Sequence, residues 1–591
     1  MSKQQQHLQF YSNTYRTSLR LFLRLSLISL FLLSFNATAE DDISEGAQAH
    51  GKILSEEQFP SASKCAPCHK KVYDEWSSSA HAYSGLSPMF HKFENAINSL
   101  APTINSFCVR CHQSVGTTIG EKRESNLWDR VQVSREGVTC ITCHRVNTEY
   151  GKVNGERRIE PGDIFQPVYG PTDAVELQKV LDNPGEYKIT TSADESGQQI
   201  HTKAIRFEQI RKSEFCVSCH QVAVNLGIKL EVVWDQYRAS PANKQGVTCQ
   251  QCHMGRIPGV PSGFERAPVA VVDDKEIEPN RDHYNHGFYG PGYSIAHPGI
   301  FPHNPDAQDW TIEEWLTFNY RAGWGTEEFE DTVSDDYQFP EVWEDMVDRE
   351  TAREIIDANL AKLEIRKQQR KQVMEMGTHI DGPFFDNKPK AGSSLKFHYV
   401  VKNINIGHNV PSGSLGAQPE LWLNVALVDP NGKTVWESGY VDSNGDMADL
   451  HSLDVRAGKI EHDSQLFNLQ TKFLTTNVKG TDREMYLPVN FDVDQLPFLR
   501  PAQQPVSVMN HPPFVRMEGR SIPPLGERKA KYKVPARLMK QKGQYKLAVR
   551  MRSRAEPIYF MNFVGATDEM ERAMNEGMLD IHPYTVEFTV K

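Results

Sequence analysis

All ten cysteines of this chain fall in five copies of one pattern, Cys-x-x-Cys-His. The copies are Cys65-Ala-Pro-Cys68-His69, Cys108-Val-Arg-Cys111-His112, Cys140-Ile-Thr-Cys143-His144, Cys216-Val-Ser-Cys219-His220 and Cys249-Gln-Gln-Cys252-His253. Two thiols at this spacing with a histidine directly behind them are the signature of covalent haem attachment. The thiols add across the porphyrin vinyl groups, and the histidine is then held beneath the iron as its proximal ligand. A redox disulfide, a zinc site or an iron–sulfur cluster could also use Cys-x-x-Cys pairs. None of these needs the histidine, and here five of five motifs have one. The expected cofactor is haem c, five per chain.

The five motifs lie between Cys65 and His253, a span of 189 residues. That is too little polypeptide to build an ordinary side-chain core around each porphyrin. The haems are expected to pack on one another and to form much of the core themselves. Such a region depends on its cofactor for folding. Close packing of redox centres is also what stepwise electron transfer needs.

Part of this region is repeated. Phe107-Cys108-Val-Arg-Cys111-His112-Gln113 returns as Phe215-Cys216-Val-Ser-Cys219-His220-Gln221, and Gly137-Val-Thr-Cys140 returns as Gly246-Val-Thr-Cys249. The first cysteines within each unit are 32 and 33 residues apart. The shared Phe, Gln and Gly-Val-Thr lie outside the attachment motif itself, which reads as two copies of a di-haem unit with the Cys65 motif in front.

The other histidines are candidates for the sixth iron position, where a histidine makes an electron carrier and a vacancy makes a place for chemistry. His81 is the leading candidate. The stretch from Lys70 to His81 reads as helix, and its twelve-residue offset from His69 corresponds to about 18 Å. Two ligands of one iron sit only about 4 Å apart, with metal–imidazole bonds of roughly 2 Å. His81 is therefore expected to serve a haem other than the one held by His69. His201, ahead of Cys216, is a second candidate. His283 and His286 lie in a Gly- and Tyr-rich loop after the last motif, and one of them is expected to reach back to an iron. His91, His297, His303 and His50 are weaker candidates. Met254 directly follows His253 and cannot turn to the same iron.

Cys65-x-x-Cys68-His69 followed by Tyr73, Trp76, Ser79 and His81 resembles the opening of cytochrome c-554-type multihaem proteins. So do Phe107-Cys108 to His112 with Gly137-Val-Thr-Cys140 to His144, Ser213-Glu-Phe215-Cys216 to Gln221, and Gly246-Val-Thr-Cys249 to Met254. The resemblance runs from about residue 60 to about 290. It implies mostly bis-histidine haems in a helical, loop-rich arrangement working outside the cytoplasm, with His81 as a haem ligand. The family's founding members carry four haems and no long C-terminal extension, so the resemblance does not assign each distal histidine to an iron. Related multihaem proteins include both carriers and enzymes acting on nitrogen or sulfur oxyanions.

The N-terminus reads as an export signal over residues 1–39. Lys3, Arg16, Arg20 and Arg24 precede the apolar stretch Leu25 to Phe35, and Ala37-Thr38-Ala39 offers a cleavage site. The stretch is too short to span a bilayer, and no later segment is long and apolar enough to do so. Net charge is −11 for the chain and −15 without the leader's four cations. That sign disfavours nucleic acid and suits solubility or basic docking partners. A periplasmic or cell-surface location is expected.

Residues 305–385 are expected to form a helical linker. Ala352, Ile356, Leu360 and Leu363 fall on one helix face, and a second helix is expected near Thr311 to Tyr320. From about 390 the period changes from 3.6 to 2. Leu395, Phe397, Tyr399 and Val401 alternate with Lys396, His398, Val400 and Lys402; Leu421 to Leu427, Tyr545 to Met551 and Tyr584 to Val590 alternate likewise. Pro430-Asn431-Gly432 marks a hairpin before Thr434-Val-Trp436. The fold class is α+β: a helical, loop-rich pentahaem domain over 40–304, then an immunoglobulin-like β-sandwich over 386–591. Within the latter, Gly407-His408-Asn409-Val410-Pro411-Ser412-Gly413 forms a shaped loop that presents His408, either toward the haems or in a structural hydrogen bond.

These features point first to electron transfer with other redox proteins, such as cytochromes or quinol-linked donors. A second expectation is an oxidoreductase acting on a small nitrogen or sulfur compound at one five-coordinate haem, because convincing distal ligands are fewer than the irons. A third is self-assembly or membership of an outer-membrane complex.

Overall fold

Each haem motif occupies a single turn, because only within one turn do both thiols and the histidine fall on the same side of the backbone. Val109–His112, Cys140–His144 and Cys249–His253 are one-turn helices, and Cys65 and Cys216 each follow a short 3₁₀ turn. This computed structural model describes residues 58–100, 106–150, 154–155, 157–223, 229–413, 419–470, 472–478, 481–483 and 515–591. The expected leader over 1–39 and His50 lie outside them. Residues 55–591 form one compact unit of mixed helix and sheet.

The helix expected from Lys70 to His81 is two helices, α1 (Lys70–Ser77) and α2 (Ala80–Tyr83). Ser79 breaks the run: its side chain accepts from the Ala82 N–H and caps α2. α2 is pinned by the third motif's leading segment. Val138 N–H donates to the His81 carbonyl at 3.0 Å, and Trp76 Nε1 donates to the Val138 carbonyl at 2.9 Å. Gly137 has φ +64°, and a Cβ there would meet the His81 carbonyl oxygen at 2.6 Å. Gly246, its counterpart in the repeat, also has positive φ at +71°. α3 (Pro88–Leu100) follows and passes His112.

The stretch 305–377 is less helical than its composition suggests. Ile312–Thr317 is a short helix with a Thr311/Glu314 capping box, and the residues between it and Met346 are mostly turns around a Trp-rich cluster. α4 (Met346–Gly377) is the one long helix in this stretch, and Ala352 and Ile356 are buried on it. It straps the two halves together. Asn359 donates to the carbonyl of Pro298 at 2.7 Å, Arg366 to Ser78 Oγ at 2.9 Å, and Arg370 to the carbonyls of Pro291 and Gly577 at 3.0 and 3.2 Å.

α4 runs directly into strand β1 (Thr378–Phe385), so the sheet region begins before the change of period near residue 390. β1 pairs with β2 (Leu395–Asn403). β3 (Glu420–Val428) forms the expected hairpin with β4 (Thr434–Ser438). β5 (Glu527–Val534), β6 (Gly543–Arg554) and β7 (Leu579–Val590) complete two antiparallel sheets, ordered β1-β2-β5 and β4-β3-β6-β7. Phe397, Tyr399 and Val401 of β2 meet Leu421, Leu423, Val425 and Leu427 of β3 in one continuous core. Between β6 and β7, the helix α5 (Ile558–Phe563) leaves the sheets and packs on Met89 and Phe93 of α3.

Candidate haem centre

The rings of three histidine pairs face each other across a uniform gap. His81 and His220 have ring centroids 6.2 Å apart, His144 and His286 6.4 Å, and His253 and His408 6.1 Å. In each pair one member belongs to an attachment motif and the other comes from a remote segment. Two imidazoles on one iron, with bonds of roughly 2 Å and ring centres about 1 Å beyond the nitrogen, have centroids about 6 Å apart. The gap therefore has the width of an iron held by both rings.

The hydrogen bonds sort these histidines further. A carbonyl only accepts, so a ring nitrogen bonded to one carries the proton and leaves the other nitrogen's lone pair for a metal. Nδ1 donates to the carbonyl of Val269 from His69 (2.9 Å), of Tyr169 from His144 (2.8 Å) and of Tyr289 from His253 (2.5 Å). It does the same to Tyr284 from His286 (2.7 Å) and to Asn409 from His408 (2.9 Å). All five thus present Nε2 as a ligand. The opposite tautomer marks the rest. His91 donates through Nε2 to the Gly85 carbonyl, His303 to that of Ala82, and His283 to the Glu75 carboxylate at 2.7 Å. His297 donates to the Phe318 carbonyl and accepts from Gly299 N–H, so both its nitrogens are engaged. Of the two histidines in the 282–287 loop, it is His286 that stands opposite a motif histidine.

Burial keeps the facing rings neutral, which is the ligand form. It pushes His81 down to about 3, with His220 adding to the effect, and His286 down to about 3, with His144 adding. His253 falls to about 4 through burial and its neighbour His408. His201 falls to about 4 through burial and then through His69, the charged group acting on it most. The Nδ1 of His81 is buried without a partner. These residues fit haem.

His112 differs. Phe90 of α3 stacks on its ring at 4.0 Å, and no second imidazole faces it at coordination spacing among the described residues. His91 is close enough to lower its pKa, but points its Nε2 at Gly85.

The ten cysteines are free of disulfides and bring the motifs together edge to edge. The Cys65 and Cys140 thiols are hydrogen-bonded to each other, as are those of Cys216 and Cys249. Both pairs join first cysteines. Cys111 and Cys219, both second cysteines, form another such pair. Each motif thus touches at least one other.

His408 reaches this centre from the sheet region. Asn403, at the end of β2, donates to the His408 carbonyl at 2.9 Å. Gln236 in the haem region accepts from Asn409 N–H at 3.2 Å and from Ser412 Oγ at 2.7 Å. The loop is therefore clamped from both sides.

Residues 64–145 match the family described as cytochrome c554 and c-prime. No curated protein matches the chain at a significant level. Among solved structures, a penta-haem cytochrome c552 from Thermochromatium tepidum aligns with 14% identity and a TM-score of 0.47, covering 89% of this chain and 98% of that one. Over residues 64–145, which hold the first three motifs and His81, the chain is similar to the cytochrome c554 and c-prime family of multihaem c-type cytochromes.

Proposed function

We propose that this chain is an exported pentahaem c-type cytochrome that passes electrons along five covalently attached haems. The observation that carries this reading is the three facing imidazole pairs at 6.1–6.4 Å, each joining a motif histidine to a remote one. In this reading His69 and His201, His144 and His286, His220 and His81, and His253 and His408 are the axial pairs. Haem, when bound, supplies a one-electron iron couple. The protein's part is to hold five of these eight imidazoles (His69, His144, His253, His286 and His408) by Nδ1 hydrogen bonds, to keep them unprotonated by burial, and to bring the attachment cysteines of neighbouring motifs into contact. The sheets over 386–591, of the immunoglobulin-like kind, serve as a ligand-supplying and docking module beside the haem domain over 40–304 and the linker over 305–385. The leader and the acidic charge fit a periplasmic or cell-surface carrier that meets basic redox proteins or an outer-membrane complex.

One observation favours a second reading. His112 has no facing imidazole among the described residues, and an iron held there with an open sixth position could oxidise or reduce a small nitrogen or sulfur compound. Mass spectrometry and electron paramagnetic resonance of the oxidised holoprotein test both readings. Five attached haems with four low-spin irons and one high-spin iron are expected. A high-spin signal that shifts with nitrite, hydroxylamine or sulfite favours the enzyme; one that ignores them favours the carrier. Fewer than five haems by mass overturns the pentahaem reading.

A further inference from the structure

Arg157 lies between the motifs of His112 and His220, with Cys143 of a third motif among the groups that act on it. Its Nη1 donates to Ser218 Oγ and to Cys219 Sγ, both at 3.0 Å, and its Nη2 donates to Ser114 Oγ at 2.6 Å. Its Nε is buried without a partner. Ser114 follows the motif of His112 and Ser218 lies inside that of His220, so the guanidinium is wedged between them. The neighbouring backbone fixes it there: Gly155 N–H donates to the Ser218 carbonyl, and Asn154 N–H to that of Gln221.

Its electrical surroundings are unusual for a half-buried arginine. The ionisable groups that act on it most are Cys219, Cys111, Cys143 and Tyr150. None is a carboxylate. The three cysteines are each the second of their motif, and haem attachment turns each into a neutral thioether. On a haem attached through these cysteines, that haem's own propionates would sit at the porphyrin edge away from the thioethers. Arg157 in turn lowers the pKa of His81 and of His220, which face each other across a single iron's width.

We propose that Arg157 is a fixed positive charge that raises the reduction potentials of the haems attached at Cys111, Cys143 and Cys219, the last most strongly. A cation near the iron favours the ferrous state, which carries one positive charge fewer. At an effective dielectric of about 20, a unit charge within about 10 Å changes a one-electron equilibrium by more than tenfold. The three haems attached through these cysteines thereby become the most easily reduced part of the array, and electrons gather there before moving outward. The inference rests on the pentahaem reading.

The test is a potentiometric titration of the holoprotein, followed optically and by paramagnetic resonance, in the native chain, R157Q and R157K. With five haems by mass in each, R157Q is expected to lower the potentials of three haems. The shift should be at least tenfold in equilibrium constant, or about 59 mV, for the His220 haem. R157K should keep most of the native values. Should R157Q bind fewer haems, R157M, which fills the same space without a polar head, carries the same test. Full haem content with all five potentials unchanged in the neutral variant overturns the role of Arg157. Fewer than five haems in the native chain overturns the underlying reading instead.

Discussion

Between Gln58 and Asn304 the buried apolar side chains are scattered in small groups such as Ala62/Tyr73/Trp76/Leu86 and Val115/Val133/Ile141/Ile159. Beyond Thr378 the residues of the two sheets join in one core running from Ile380 to Val590. The first region is built of helices of four to thirteen residues and two- or three-residue ladders, the second of strands up to twelve residues long. The difference shows what fills each interior. In the sheet region side chains interlock with side chains. In the haem region the small groups are separated by motif cysteines and facing imidazoles.

The strongest way to break this contrast is to withhold haem. Chain made without haem attachment is expected to lose most of its helical circular dichroism while a protease-resistant fragment spanning the two sheets survives. Loss of both regions together would show that the sheet core depends on the haems too.

Acid is the next largest perturbation, and it should bear most heavily on the haem region. Unfolded histidine titrates near 6.5, roughly. Burial, before all else, holds His81 and His286 at about 3 and His201 and His253 at about 4. Between those values the unfolded chain binds more protons than the folded one, so stability is full above about 6.5 and falls as the pH drops toward 3. A Soret titration at constant ionic strength is expected to show low-spin bands lost through that window. Bands that persist unchanged below pH 3 would contradict the burial argument.

A local change separates the regions in the other direction. Leu423→Ala removes a fully buried side chain from the centre of β3 and is expected to destabilise the sheets by roughly 2–5 kcal/mol in thermal or denaturant unfolding. The spectra of the haems paired outside the His408 loop should not move. The smallest effect on stability and the most specific on spectra belongs to His408→Ala. One iron, that of the His253 motif, is expected to pass from low-spin to high-spin, with four left as they were.

How much of this was legible in the sequence also differs between the regions. The attachment motifs are local chemistry and could be read outright, and Ala352 and Ile356 lie buried on α4 as their spacing implies. The alternation of β2 is legible because one face is buried and the other carries Lys396, His398 and Lys402. β3 hides its pattern, since Glu420 and Asn424 are buried along with Leu421 and Leu423; Arg554 neutralises Glu420 from β6 and the hairpin satisfies Asn424. The break between α1 and α2 was signalled by three consecutive serines, Ser77 to Ser79, whose capping tendency the apolar spacing concealed. Of the pairing of imidazoles, the sequence went no further than separating His81 from His69, because the rest is set by tertiary approach: nothing near His408 names His253. Arg157 had no sequence signal beyond its place after Asn154-Gly155, and its meaning comes from the cysteines of three motifs that act on it.

The clamp on the His408 loop also carries a consequence in time. His253 and its cysteines are made early, and attachment needs nothing that follows them. His408 takes its place only when β2, β5 and the strands that complete their core have been made and folded. A chain cut short in synthesis would thus carry its full number of haems and still lack one bond to iron. The colour of the last haem would then report whether the molecule had been finished.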